Sequence, residues 1–135
     1  MKRIQYAMSV IVLSVCCSAF IIQIKVPDEL TGKWKLRGSY GKLIGTIEIK
    51  SSGAYNYSVS PNYKESGTLI LNTRKVPKEI DLVVRTTKGA STITRGIYRI
   101  NNNNIELCLA KMNEVRPVNF NNDQSRRSVT WIGTR

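Results

Sequence analysis

The sequence contains no histidine. That absence removes imidazole acid–base pairs, Ser-His triads and histidine metal ligands together, and most hydrolase chemistries go with them. Cysteine is scarce as well. Of the three, Cys16 and Cys17 lie in an N-terminal hydrophobic stretch, so Cys108 stands alone in the rest of the chain with no partner for an intramolecular disulfide. A nucleophilic Cys108 would need an electropositive or hydrogen-bonding neighbour to form its thiolate, and a small buried apolar side chain is the simpler expectation. Acidic residues are the third shortage, 9 against 21 Lys and Arg, for a formal charge of +12 over 135 residues. No Gly-rich phosphate loop leads into a helix, and the thiols lack the spacing of a zinc site. No catalytic residue, metal ligand or cofactor is expected, and the chain reads as a non-enzyme.

What is present fits one compact domain behind a targeting segment. The length leaves no room for two domains, and 41% apolar residues exclude wholesale disorder. Lys2 and Arg3 precede an uncharged run from Ile4 to Ile24, the pattern of a signal peptide, and Cys17-Ser18-Ala19 offers small residues for cleavage before Phe20. The rival reading is an uncleaved inner-membrane anchor, because the apolar run from Ala7 to Ile22 falls just short of a bilayer-spanning length. Residues 1–24 are therefore assigned to a signal peptide or anchor and residues 25–135 to the folded domain, exported to the periplasm or cell envelope. Membrane contact is expected only through the N-terminal segment.

Beyond Gly32 the apolar pattern has a period of two, with turn residues about every ten to twelve positions, and no helical stripe competes. Gly32–Arg37 alternates Trp34 and Leu36 with Lys33, Lys35 and Arg37. Further strands are predicted at Leu43–Lys50, Ala54–Ser60, Thr68–Asn72, Ile80–Thr86, Thr94–Ile100, Ile105–Ala110 and Ser128–Ile132. Ser51-Ser52-Gly53 and the run Asn101–Asn104 supply turns, Pro77 bends the chain into its strand, and Gly96 marks a bulge or a close backbone approach. About eight antiparallel strands, each with one apolar face, can close a small barrel that encloses side chains or one small ligand, with a sandwich as the alternative. The predicted lining is Ile47, Ile49, Tyr55, Tyr57, Leu69, Leu71, Leu82, Val84, Tyr98, Leu107 and Leu109.

Gly32-Lys33-Trp34 resembles the G-x-W opening of lipocalin-like barrels. The resemblance implies that Trp34 plugs one end, with a basic residue near the last strand, Arg127 or Arg135, across its indole face. Longer blocks extend it: Leu30–Leu36, Glu65–Leu69, Lys75–Leu82, Gly96–Ile100, Ile105–Ala110, Arg116-Pro117 and Phe120. Together they resemble a family of small exported lipocalin-like domains of unknown function, abundant in planctomycete-type bacteria. The likeness covers most of Leu30 to Ile132, with the Asn101–Asn104 turn longer than is usual there. It implies an all-β, single antiparallel lipocalin-like (calycin-type) barrel and no catalytic residue.

Two other features need a reading. Glu79 and Asp81 share a strand face, which suits a cation or substrate site, although solvated or structural roles are favoured because a hard cation needs more oxygen ligands. The charge admits a nucleic-acid-binding barrel, but the tyrosines alternate onto apolar faces instead of standing between cations, so no nucleic-acid partner is expected. The leading functional expectation is binding of a small apolar or amphipathic molecule inside the barrel. The alternative is a basic envelope module whose outer cations Lys33, Lys35 and Arg37 contact acidic surfaces or a protein partner.

Overall fold

The computed structural model describes residues 25–59, 61–121 and 127–135. The N-terminal hydrophobic stretch, with its export and anchor readings, lies outside them. The described residues form eight strands: β1 (Gly32–Gly38), β2 (Leu43–Ile49), β3 (Ala54–Val59), β4 (Tyr63–Asn72), β5 (Lys78–Arg85), β6 (Ser91–Asn101), β7 (Asn104–Ala110) and β8 (Ser128–Thr134). Each pairs antiparallel with its neighbour in sequence, and β8 returns to β1 through Lys35↔Thr134 to Gly38↔Trp131, closing the barrel. Closure excludes the sandwich and leaves no sheet edge along the full length of any strand.

Alternation decides which side chains enter. Trp34 and Leu36 of β1 face Ile47 and Ile49 of β2, Tyr55 of β3, Leu69 and Leu71 of β4, Ile80 and Leu82 of β5, Tyr98 of β6, and Ile105, Leu107 and Leu109 of β7 in one buried cluster. Lys33, Lys35 and Arg37 are exposed on the opposite face of β1. Turn chemistry follows the residues available. Gly53 takes φ 87° in the β2–β3 turn and donates to the Lys50 carbonyl, and Asn102 takes φ 53° between β6 and β7.

Several strands run longer than the apolar pattern predicts. β4 begins at Tyr63, not Thr68, because its inward positions there are Tyr63, Glu65 and Gly67, which do not read as an apolar face. β6 likewise begins at Ser91, three residues before the predicted start at Thr94. The stretch after β7 is not a plain loop. Residues 111–121 lie as a strap on the outer surface, where Arg116 reaches β5 and β6 and the Asn119 carbonyl accepts from Cys108 Sγ at 3.6 Å. Two outward-facing residues, Ile97 of β6 and Cys108 of β7, are fully buried there.

Candidate functional site

The two ends of the barrel differ. Strand direction places Gly32, Ile49, Ala54, Asn72, Lys78, Asn101, Asn104 and Thr134 at one end, and that end is shut. Val26 and Leu30, from the segment before β1, are buried there beside Trp34, which is only 1% exposed. The indole Nε1 donates to the Leu30 carbonyl at 3.0 Å. Arg135 lies 4.5 Å from the indole ring and donates to the carbonyls of Glu29 and Thr31, tying the C-terminus to the N-terminal turn. A stacked guanidinium of this kind is worth about 0.5–2 kcal/mol. Of the two arginines the resemblance offers, Arg135 takes this position. Arg127 is a correction: it precedes β8 at the opposite end, where its side chain approaches Glu114 at 3.9 Å and cannot reach Trp34.

Among the described residues, the other end is open. Inward positions that should be dry are only half-buried there: Tyr57 and Val59 of β3, Glu65 of β4, Val84 of β5, Thr94 of β6, and Val129 and Trp131 of β8. The wall itself parts on one side. The β4–β5 ladder runs from Asn72↔Glu79 to Thr68↔Val83, so Tyr63–Gly67 pairs with β3 alone. Gly67 sits where the ladder stops, and a Cβ on it would overlap the Val83 carbonyl and lie 2.8 Å from the Tyr55 ring. Glycine is thus what lets β4 bend past β5 while the Tyr55 ring occupies the space beneath.

That ring placement organises the open end. The Tyr55 hydroxyl donates to Glu65 Oε1 at 2.8 Å, and the Tyr63 hydroxyl donates to Glu65 Oε2 at 2.9 Å. Tyr57 donates to the Ile44 carbonyl at 3.2 Å, stacks on Trp131 with ring centroids 5.3 Å apart, and meets Tyr63 edge-on at 6.2 Å. Burial, followed by the Glu65 hydrogen bond and charge, pushes the Tyr55 phenol far above its ordinary range. Tyr57 is raised mainly by burial, and Tyr63 mainly by its bond to Glu65. All three stay neutral donors at ordinary pH. The result is an aromatic mouth with one carboxylate whose oxygens are already oriented.

The residues predicted to line the barrel all project inward. Ile47, Ile49, Tyr55, Leu69, Leu71, Leu82, Tyr98, Leu107 and Leu109 belong to the buried cluster and fill the closed half, whereas Tyr57 and Val84 border the open end. Glu65, Tyr63 and Trp131 were not singled out by their residue types; Tyr63, Glu65 and Gly67 continue the inward positions of Leu69 and Leu71 along β4 but carry no apolar pattern to mark it. Of the remaining positions, Gly32 starts β1 with φ 121°, and Pro77 follows a cis peptide in the β4–β5 turn. At Gly96, a Cβ would lie 2.7 Å from the Cys108 carbonyl oxygen, a close approach between β6 and β7.

Glu79 and Asp81 point outward and face a cation of the chain's own. Arg116 Nη1 lies 2.7 Å from Asp81 Oδ1 and donates to the Gly96 carbonyl at 2.7 Å, Nη2 donates to Asp81 Oδ2 at 3.0 Å, and Nε stands 3.7 Å from Glu79. One charge-assisted hydrogen bond to Asp81 and one to the Gly96 carbonyl, with the ion pairs to Asp81 and Glu79, pin the strap to the barrel wall. Among the described residues, no three Cys, Asp or Glu side chains gather as a metal site. Comparison of the chain with family models, with curated proteins and with solved structures returns no match.

Proposed function

We propose that this chain is a non-enzymatic, lipocalin-like binding domain of the bacterial cell envelope that receives a small apolar or amphipathic molecule at the open end of its barrel. One observation carries the reading: inward-facing Tyr57, Val84 and Trp131 meet solvent at one end, while the other is sealed by Val26, Leu30 and Trp34. Apolar surface left wet on a concave inner face gains free energy when a ligand covers it, about 25 cal/mol per Å². The packed interior of the closed half leaves no space for a ligand inside the barrel there, so the site is shallow and aromatic, and Glu65 offers a polar anchor for a ligand's hydrogen-bond donor. The resemblance of several sequence blocks to exported lipocalin-like domains, and the charged start of the N-terminal segment, support the envelope location.

The test is titration with N-phenylnaphthylamine, an uncharged probe whose fluorescence rises in apolar surroundings. The wild-type chain is expected to enhance it, and Tyr57→Ala and Trp131→Ala each to weaken binding about tenfold, the loss of one or two kcal/mol of aromatic contact. Equal affinity in all three proteins would overturn the proposal. A second reading, contact of the outer row Lys33, Lys35 and Arg37 with acidic surfaces, is favoured by the exposure of all three. Retention on anionic vesicles that is lost on reversing those three charges would carry it.

A further inference from the structure

A separate cavity of about 350 Å³ lies near the closed end, between the β4–β5 turn, the end of β6 and the strap. Its volume is at the small end of the range, about 300–1,000 Å³, that ligand sites occupy. Val76, Pro77, Ile100 and Phe120 supply an apolar lining, and every charged residue that lines it is cationic: Lys75, Lys78 and Arg99. Arg99 is engaged by Glu106 and stands 4.4 Å from the Phe120 ring, and Lys78 reaches Glu29 at 3.6 Å. Lys75 has no carboxylate partner among the described residues.

Tyr98 adds an independent sign. It lines the same cavity, its side chain is only 1% exposed, and its hydroxyl has no hydrogen-bond partner among the described residues. Buried donors are almost always satisfied, and this hydroxyl, itself fully enclosed behind the cavity wall, gains an acceptor only when the ring turns toward the cavity. Lys78 Nζ lies 5.9 Å from the centre of the Tyr98 ring, which brings a cation and the orphaned donor to one region of the wall.

We infer that this cavity binds a short-chain alkyl carboxylate, its tail against Val76, Ile100 and Phe120 and its head received by Lys75, Lys78 and the Tyr98 hydroxyl. An anionic head complements Lys75, the one lining cation without a carboxylate partner among the described residues, and supplies the acceptor that Tyr98 lacks once its ring turns toward the cavity. The site is distinct from the aromatic mouth and does not depend on it.

Calorimetric titration of the full chain with octanoate tests the inference, with octylammonium as the probe of equal tail and opposite charge. Octanoate is expected to bind and octylammonium to give no saturable heat. Lys75→Glu should abolish octanoate binding. Tyr98→Phe should weaken it about tenfold while leaving the thermal stability of the ligand-free protein unchanged or raised, because it removes an unsatisfied group. Trp131→Phe should leave octanoate affinity unaltered, which separates this site from the mouth. Equal binding of the two probes, or octanoate affinity indifferent to both Lys75→Glu and Tyr98→Phe, overturns the inference. So does sedimentation of the chain with anionic vesicles in the absence of any octanoate heat, which would assign the exposed Val76 and its neighbouring cations to a lipid surface.

Discussion

Gly67→Ala is the sharpest probe of how the open end is built. The added methyl would overlap the Val83 carbonyl and stand 2.8 Å from Tyr55 Cε1 and 3.0 Å from its hydroxyl. The Val83 side of the clash cannot retreat without loosening the Thr68↔Val83 pair, the last rung of the β4–β5 ladder. The Tyr55 side can retreat only by withdrawing the hydroxyl from Glu65. Overpacking of this kind costs about 1–3 kcal/mol, and loss of a hydrogen bond to a charged group about 1.5–3 kcal/mol, so the variant should lose roughly 2.5–6 kcal/mol. Urea unfolding reads this as a midpoint lowered by about 1 M or more. Tyr55→Phe keeps the ring and loses only the bond, so its cost should not exceed about 3 kcal/mol. In a Tyr55→Ala background the same methyl meets only the Val83 carbonyl, and its penalty should fall by at least about 1 kcal/mol, a coupling that a double-mutant cycle measures directly. A penalty below about 0.5 kcal/mol for Gly67→Ala, or one unchanged by removal of the Tyr55 ring, would refute the packing described here.

Two further outcomes follow from other parts of the barrel. Arg116→Ala leaves Asp81 and Glu79 facing each other without their cation and unpins the strap. Stability should fall by about 1–3 kcal/mol, and a thiol reagent should modify the buried Cys108 at least about tenfold faster, whereas an unchanged modification rate would show that the strap is held by other contacts. Alkaline pH should unfold the chain. Tyr55 and Tyr98 are raised above the ordinary tyrosine value, mainly by burial, so above about pH 10 the unfolded chain loses phenolic protons that the folded chain keeps. Stability, complete below that pH, should then decline by about 1.4 kcal/mol per pH unit for each such tyrosine. Tyrosinate absorbance and circular dichroism should change together over that interval, and a stability curve flat from about pH 9 to about pH 11 would contradict it.

The barrel was legible because each strand carries its apolar residues on alternate positions, and burial of one face is the force that fixes register. Ile47 and Ile49, Leu69 and Leu71, Leu82 and Val84, and Leu107 and Leu109 announce their strands in this way. Where the inward side chain is not aliphatic, the rule loses its marker. Glu65 is an inward carboxylate that persists because two tyrosine hydroxyls satisfy it, and no periodicity argument recognises a charge that is made acceptable by partners ten and two residues away. Gly67 is inward with no side chain at all, and its purpose is set by a ring on the neighbouring strand.

Contacts between distant segments were hidden for a related reason. Arg135 and Arg127 are equal candidates by type, and only the direction of β8 separates them, since the strand carries Arg135 to the Trp34 end and leaves Arg127 at the mouth. Arg116 lies 35 residues from Asp81, and the polar stretch that holds it has no period to betray that it lies on the wall. The same asymmetry bears on function. A side chain shared by a closed end and a packed core is constrained by stability alone, as Trp34 is by Leu30 and Arg135. Trp131, on the same inner face but half-wet, is not covered by any comparable set of neighbours among the described residues, and a large aromatic surface left in that state is stabilised by whatever next covers it.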